Sequence, residues 1–221
     1  MRAIRVFSLA IVMIGLTASL VAADPIQFKL LSGPSRATFK TDAPLETIVG
    51  NTAAAGVTGT LTVDPARPRE AKGSVTVDIT KVRTGIDKRD ADMLEKTYLD
   101  VAASDANKLV TFEIKSVEIP GPLEPGKETA AKVSGVLTIK QKPISVVGDA
   151  RVTWVKLTPE QAEAQKRFGF TADNIKVRAK LGTTFTNHGM QVPQLLFLKV
   201  SNEIQIETDL TKYSEQMSPQ L

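Results

Sequence analysis

Few side chains in this sequence are suited to acid–base or nucleophilic chemistry. It contains one histidine, His188, and no cysteine, which excludes thiol nucleophiles, disulfides and zinc–thiolate sites. No G-x-S-x-G, P-loop or G-x-G-x-x-G motif occurs. His188 precedes Gly189 in a polar segment, a context more typical of a loop histidine than of a general base or a ligand-contacting donor. We therefore predict that the protein is not an enzyme.

Three acidic residues lie close enough in sequence to suggest a cation site. Asp87, Asp90 and Asp92 alternate with other residues, but they lack the glycine and the terminal glutamate of a calcium-binding loop. Acidic residues in the first turn of a helix also interact favourably with the helix dipole. We predict no metal and no catalytic cofactor here.

Alternation of polar and apolar residues dominates the rest of the chain. Such a period of two predicts half-buried β-strands with one face in water. Eight segments show it, namely 35–40, 57–64, 74–80, 110–115, 132–140, 144–154, 175–181 and 203–210. The tight link Gln141-Lys142-Pro143 predicts that the strands on either side of it form a hairpin.

Two segments between the strands have helical patterns. Thr158-Pro159-Glu160-Gln161 combines a capping box with proline in the first turn, and it predicts a short helix to about Phe168. Asp87 to about Leu99 carries apolar residues among charged ones, which predicts a second, amphipathic helix.

Strands with one wet face must bury the other, either in a sandwich or in a closed barrel. Alternation alone does not choose between the two. The charged outer rows are unsuited to lipid, which argues against stable insertion in a membrane. The inward positions include several small residues, and these favour an interior with room for one ligand: Gly59, Gly135, Gly148, Ala150 and Ala179.

One later segment, Leu195 to Val200, is the most apolar part of the chain after the N-terminal run. It is either a buried strand of the last hairpin or a lip or floor of an apolar cavity.

The first 23 residues have the pattern of a secretory signal peptide. A basic start with Arg2 and Arg5 precedes an apolar run, and Ala22-Ala23-Asp24 gives a cleavage site after Ala23. Residues 24–221 then form one domain. The leader contributes two of the four net positive charges, and the remaining basic residues do not cluster, so a nucleic-acid partner is not expected.

Several short motifs, in their order and spacing, resemble the YceI-like family. They are Ser35–Phe39, Val49-Gly50, Gly56–Gly59, Val75–Asp78, Thr84-Gly85, Arg89-Asp90, Met93-Leu94, Leu99-Asp100, Thr111-Phe112, Ser134–Ile139, Gly189–Pro193 and Ile204–Ile206. The chain departs from the family pattern at Gln141, where a glycine is usual, and in an insertion over residues 157–171.

The resemblance implies an all-β, lipocalin-like, extended eight-stranded antiparallel barrel in the bacterial periplasm. It also implies that the barrel interior binds a polyisoprenoid chain, such as a quinone precursor or quinone-like lipid. Among the inward positions, we predict that the polyisoprenoid ligand contacts Phe39, Phe112, Leu137, Ile139, Val152, Trp154 and Ile206. The indole N–H of Trp154 is a candidate donor to a polar head near the mouth.

Two other functions stay open at this point. The first is a structural, interaction or stress-response module with a filled core and no ligand. The second is an enzyme that acts on an amphiphile through His188 or an aspartate. A homodimer is compatible with all of these readings.

Overall fold

The computed structural model describes residues 25–195 and 198–215. The predicted leader and the residues Leu196 and Phe197 lie outside this part of the chain. The strands are β1 (Ile26–Leu30), β2 (Arg36–Ala43), β3 (Glu46–Thr52), β4 (Val57–Val63), β5 (Lys72–Asp78), β6 (Val82–Arg83), β7 (Leu109–Glu118), β8 (Glu128–Ile139), β9 (Lys142–Lys156), β10 (Asp173–Thr184), β11 (Gln194–Leu195), β12 (Leu198–Lys199) and β13 (Glu203–Ser214). The helices are α1 (Asp87–Met93) and α2 (Pro159–Gln165). Single 3₁₀ turns span Pro68–Glu70, Ile79–Lys81, Asp105–Lys108, Lys166–Phe168 and Thr186–His188.

Eight strands form a closed antiparallel barrel. The order is β1-β4-β5-β7-β8-β9-β10-β13, and β13 pairs back with β1. Closure leaves no free edge within this ring, so each strand has a backbone partner on both sides. The barrel predicted for the chain is confirmed, and the sandwich alternative is excluded.

On one side, the sheet extends beyond the eight strands that form the closed barrel. β13 pairs with β1 near its C-terminal end and with β2 nearer its N-terminal end, because the chain bends between the two. Ser35 holds this bend: its hydroxyl donates to the Leu31 carbonyl at 2.7 Å and accepts from the Thr211 amide at 3.1 Å. β3 and β6 continue the sheet from β2 and extend the wall past one end of the barrel.

Burial follows the predicted alternation, and β9 shows it most clearly. Val146, Gly148 and Ala150 face inward and are buried, while Val147 and Asp149 between them are exposed. β1 and β3 were not predicted, because β1 is only five residues long and β3 places Gly50 at an inward position.

The two predicted helices differ in how closely the structure matches them. α2 begins at the predicted capping box, in which the Thr158 hydroxyl accepts from the Gln161 amide at 3.3 Å. α1 ends at Met93 rather than near Leu99. The chain turns back there, since the Leu99 amide donates to the Met93 carbonyl at 3.2 Å. This turn buries Leu99, which is 6% exposed, against the barrel.

The turn between β8 and β9 consists of Lys140 and Gln141. Both have positive φ, 50° and 59°, as a type I′ hairpin turn requires. Residues other than Gly, Asn and Asp are disfavoured at positive φ. The side-chain amide of Gln141 compensates in part, because its Nε2 donates to the side-chain Oδ1 of Asn107 at 2.9 Å.

His188 is a structural residue. Its side chain is fully buried, with Nδ1 3.1 Å from the Lys142 carbonyl and Nε2 2.8 Å from the Thr183 hydroxyl. A carbonyl only accepts, so Nδ1 carries the proton and Nε2 accepts from the hydroxyl. Burial lowers the pKa of His188, and bonds to backbone carbonyls oppose this shift only partly. The neutral ring thus joins the start of β9 to the end of β10.

Replacing Lys140 with asparagine is expected to stabilise the protein by about 0.5–1 kcal/mol, because asparagine tolerates positive φ. Lys140→Asn loses only an exposed bond from Nζ to the Lys96 carbonyl. Urea unfolding measures the change. Lys132→Asn, made on the exposed face of β8, is the control and should not stabilise. Equal effects of the two substitutions would contradict the strain assigned to the turn.

The buried, neutral His188 should make stability fall as the pH drops below its ordinary pKa of 6.5. Below that pH the unfolded chain binds a proton that folded His188 does not, so the free energy of unfolding decreases. Between pH 7.5 and 5.5 this component is at most about 1.4 kcal/mol, the value for a folded His188 that stays neutral throughout. His188→Gln should remove it, as measured by urea unfolding of both proteins at both pH values. Parallel pH profiles would show that His188 is not held neutral.

Candidate ligand-binding cavity

A cavity of about 400 Å³ lies at the end of the barrel that β2 and β3 extend. Its walls come from β2, β3, β13, the segment that contains α1, and the segment that follows β10. Most of the lining is apolar, and it includes Ala37, Phe39, Ile48, Val77, Ile79, Val82, Met93, Leu99, Val110, Ile139, Phe185, Met190, Val200, Ile204 and Ile206. The polar lining residues, which include Thr41, Tyr98 and three charged residues of α1, are outnumbered by apolar ones, so the cavity suits an apolar chain.

Two glycines make room for aromatic rings on the inner wall. Gly50 lies directly opposite Phe39 in the pairing of β2 with β3, and a Cβ there would overlap the Phe39 ring. A Cβ at Gly135 of β8 would likewise overlap the ring of Phe112. The glycines thus allow both rings to lie flat against the sheet, which keeps the space beside Phe39 open.

α1 borders the mouth of the cavity and is attached to the barrel by polar contacts. The Asp90 carboxylate accepts from the Thr84 amide and hydroxyl at 2.8 and 2.7 Å. Arg89 reaches Glu46, at the start of β3, at 2.8 Å. Ile86, which precedes the helix, lines the cavity and is 48% exposed. Apolar surface therefore continues from the cavity to the outside of the protein.

The acidic residues of α1 have partners of their own. Asp90 is bonded to Thr84, and Asp92 forms an ion pair with Lys88 at 2.8 Å. The Asp92 carboxylate holds the pKa of Lys88 above its ordinary value. Within residues 25–195 and 198–215, no group of three or more acidic or histidine side chains is arranged to bind a metal ion.

The structure places the seven predicted contact residues in two regions. Phe39, Ile139 and Ile206 line the cavity. Leu137 and Phe112 belong to the same hydrophobic cluster and pack behind the lining. Val152 and Trp154 lie toward the other end of the barrel, in clusters built around Phe28, Ile175 and Leu123.

Trp154 does not face the mouth. Its indole N–H donates to the Asp173 carboxylate at 2.9 Å, at the end of the barrel where the insertion 157–171 connects β9 to β10. The structure therefore gives Trp154 a packing role and a carboxylate partner, and it does not bring its N–H to the cavity.

Several lining residues were not singled out from the sequence. Ile48 lies on the unpredicted strand β3, and Met190 follows the left-handed Gly189 in a segment read only as a loop. The apolarity of the segment from Leu195 to Val200 did indicate in the sequence that this region could border a cavity. It contains the β11–β12 hairpin, and Pro193, Gln194 and Val200 around it line the cavity. These lining residues favour the cavity lip over a buried strand of the last hairpin.

No helix in the part of the chain that the structure describes is long and apolar enough to cross a membrane.

Comparison with solved structures shows the same fold in distant proteins. BcnA from Burkholderia cenocepacia is 17% identical, with a TM-score of 0.59 over 80% of this chain and 95% of that one. A polyisoprenoid-binding domain from Saccharophagus degradans, implicated in plant cell wall breakdown, is 15% identical, with a TM-score of 0.60 over 86% and 99%. The Campylobacter jejuni YCEI protein is 18% identical, with a TM-score of 0.57 over 78% and 87%.

A search among curated proteins gives no match. The family model for the YceI-like domain matches residues 28–212, a range that begins in β1, ends in β13 and so includes residues of all eight barrel strands. The motifs that suggested the resemblance fall within this range, and the chain belongs to the YceI-like family.

Proposed function

We propose that this protein is a periplasmic carrier that holds the isoprenoid chain of a lipid in the barrel cavity. The proposal is supported above all by the apolar lining of a cavity that is open at one end. The Saccharophagus degradans domain, which shares this fold, is described as polyisoprenoid-binding. We propose the same ligand class for this protein.

The size of the cavity is compatible with this ligand. Ligand cavities in proteins commonly measure about 300–1,000 Å³, and this one measures about 400 Å³. Each buried methylene contributes about 0.8 kcal/mol. A few isoprene units can therefore bind tightly even after the loss of chain flexibility is subtracted.

The positions of the polar groups favour a carrier over an enzyme. His188 is buried with both ring nitrogens bonded to protein groups. The charged residues of the lining, Lys88, Arg89 and Asp92, lie on α1 at the mouth, where they form ion pairs. The rest of the wall is made mostly of aliphatic and aromatic side chains, which bind an apolar chain without reacting with it.

Native mass spectrometry tests the proposal directly. The full chain is expressed in a bacterium, purified from the periplasm without detergent and sprayed from a volatile buffer. We expect a complex with one lipid molecule, whose mass after organic extraction corresponds to an isoprenoid. Protein that carries no lipid and takes up neither an added quinone nor a polyprenol would overturn the carrier function and favour a module with a filled core.

Filling the cavity should block the ligand. Ile206→Trp adds an indole to the cavity wall and is expected to weaken polyprenol binding at least tenfold, because the chain and the ring compete for the same space. Val147→Trp places the same ring on the outer face of β9, where Val147 is 60% exposed. Titration with a fluorescent polyprenol compares the two variants. Unchanged affinity in folded Ile206→Trp would place the ligand elsewhere.

Export should remove the first 23 residues. Protein recovered from the periplasmic fraction is expected to begin at Asp24, the residue after the predicted cleavage site. Intact-mass measurement and N-terminal sequencing report this directly. Replacing Ala23 with a bulky residue such as phenylalanine should leave the leader attached. A full-length product in the cytoplasm of cells that express the original sequence would contradict export.

A further inference from the structure

A lysine is buried inside the barrel beyond the cavity. Inward positions of β13 alternate as Ile204, Ile206, Thr208, Leu210 and Lys212. The first two line the cavity. Leu210 packs with Ala37, itself a lining residue, in the layer below the cavity. Lys212 is the next inward residue and is only 3% exposed.

The ammonium group of Lys212 has no partner in the part of the chain that the structure describes. Its Nζ atom is buried and makes no hydrogen bond to residues 25–195 or 198–215. The residues paired with Lys212 on the neighbouring strands are Leu30 and Ile175, and both are apolar. An uncompensated cation in such surroundings is costly, and buried polar groups in folded proteins are nearly always bonded.

Nearby polar groups are engaged with other partners. The hydroxyl of Ser214 contacts that of Thr171 at 2.9 Å, and Ser35 is bonded to Leu31 and Thr211. The closest inward carboxylate along β10 is Asp173, which accepts from Trp154.

The charged residues on the strands beside Lys212 face outward. Lys29 of β1 pairs with Glu215, and Lys176 of β10 pairs with Asp209. Desolvation alone lowers the pKa of Lys212 to about 8. Within the described residues, the Nζ atom of Lys212 therefore has no hydrogen-bond partner.

We propose that Lys212 binds the leading end of the ligand, and that this end carries a single carboxylate. This inference rests on the proposed function, because it requires an apolar chain to enter the barrel from the cavity. Lys212 is six residues beyond Ile206 on β13, or about 20 Å at the rise of an extended strand. A chain of about four isoprene units spans that distance once the layer around Leu210 opens to admit it.

The surroundings of Lys212 select a carboxylate over a phosphate. One ammonium group neutralises one negative charge, and the neighbouring side chains offer no second free donor. A phosphate or diphosphate would bring additional negative charge into an apolar layer with nothing to balance it. A carboxylate on an apolar chain satisfies the lysine, and the rest of the molecule is buried among aliphatic side chains.

The test compares three probes with the same isoprenoid chain: geranylgeranoic acid, geranylgeraniol and the corresponding hydrocarbon. For the original protein we expect the acid to bind at least tenfold more tightly than the hydrocarbon, as a charge-assisted hydrogen bond would give. In Lys212→Met this preference should disappear, while hydrocarbon affinity is maintained or increased. Lys176→Met, on the outer face of β10, is the matched control and should retain the preference.

A second measurement needs no variant to bind ligand. NMR of ¹³Cε-labelled lysine gives the pKa of Lys212, with the resonance assigned by its loss in Lys212→Met. We expect a value near 8 in the free protein and a rise toward that of an ordinary lysine with the acid, because the carboxylate favours the charged amine. The hydrocarbon should not produce this rise.

The outcomes separate this inference from the carrier function. Equal affinity for acid and hydrocarbon, with no change in the pKa of Lys212, would leave the carrier function intact and overturn the role of Lys212. Failure of all three probes to bind would overturn both. A preference for the acid that survives Lys212→Met would assign the carboxylate to another group.

Discussion

Backbone pairing along β13 is the constraint on which the rest of the structure depends. One edge of this strand is bonded to β10, and the other is bonded first to β2 and then to β1. The barrel closes only because β1 and β2 share that edge, with Ser35 satisfying the backbone at the bend between them. The same bend sends β2 and β3 past the ring. The wall of the cavity is thus a direct result of how the barrel closes.

The two ends of the barrel are built differently. Toward the insertion, the interior is filled by side chains around Phe28, Ile175 and Trp154. At the other end, Gly50 lets the ring of Phe39 lie against the wall, and α1 covers the opening through polar contacts at the surface. Surface ion pairs contribute about 1 kcal/mol or less, whereas the strands are joined by continuous backbone ladders. α1 is therefore held less firmly than the barrel, and it borders the mouth of the cavity.

The sequence alone was sufficient to predict the barrel strands that alternate strictly, the β8–β9 hairpin and the capping box of α2. These features depend on local patterns of two to four residues. β1 was missed because it is short, and β3 because its inward residues include Gly50, whose role becomes clear only opposite Phe39.

For the site, the sequence identified apolar residues that face inward, but not how far along the barrel axis each one lies. Ile206 and Trp154 show the same alternation, yet they belong to opposite ends of the barrel, since depth depends on strand register and on where the chain bends. Met190 could not be found from periodicity, because it lies in an irregular segment.

Two buried ionisable side chains show why burial alone does not identify a functional residue. His188 and Lys212 are almost equally inaccessible to solvent, and burial lowers the pKa of both. His188 can lose its charge near neutral pH, and a hydroxyl and a carbonyl then satisfy both ring nitrogens, so the fold fully accounts for it. Burial lowers the pKa of Lys212 to about 8, and its Nζ atom makes no hydrogen bond to the described residues. Methionine at this position would fill a similar volume without that electrostatic cost. For this reason we assign His188 to the fold and Lys212 to the ligand.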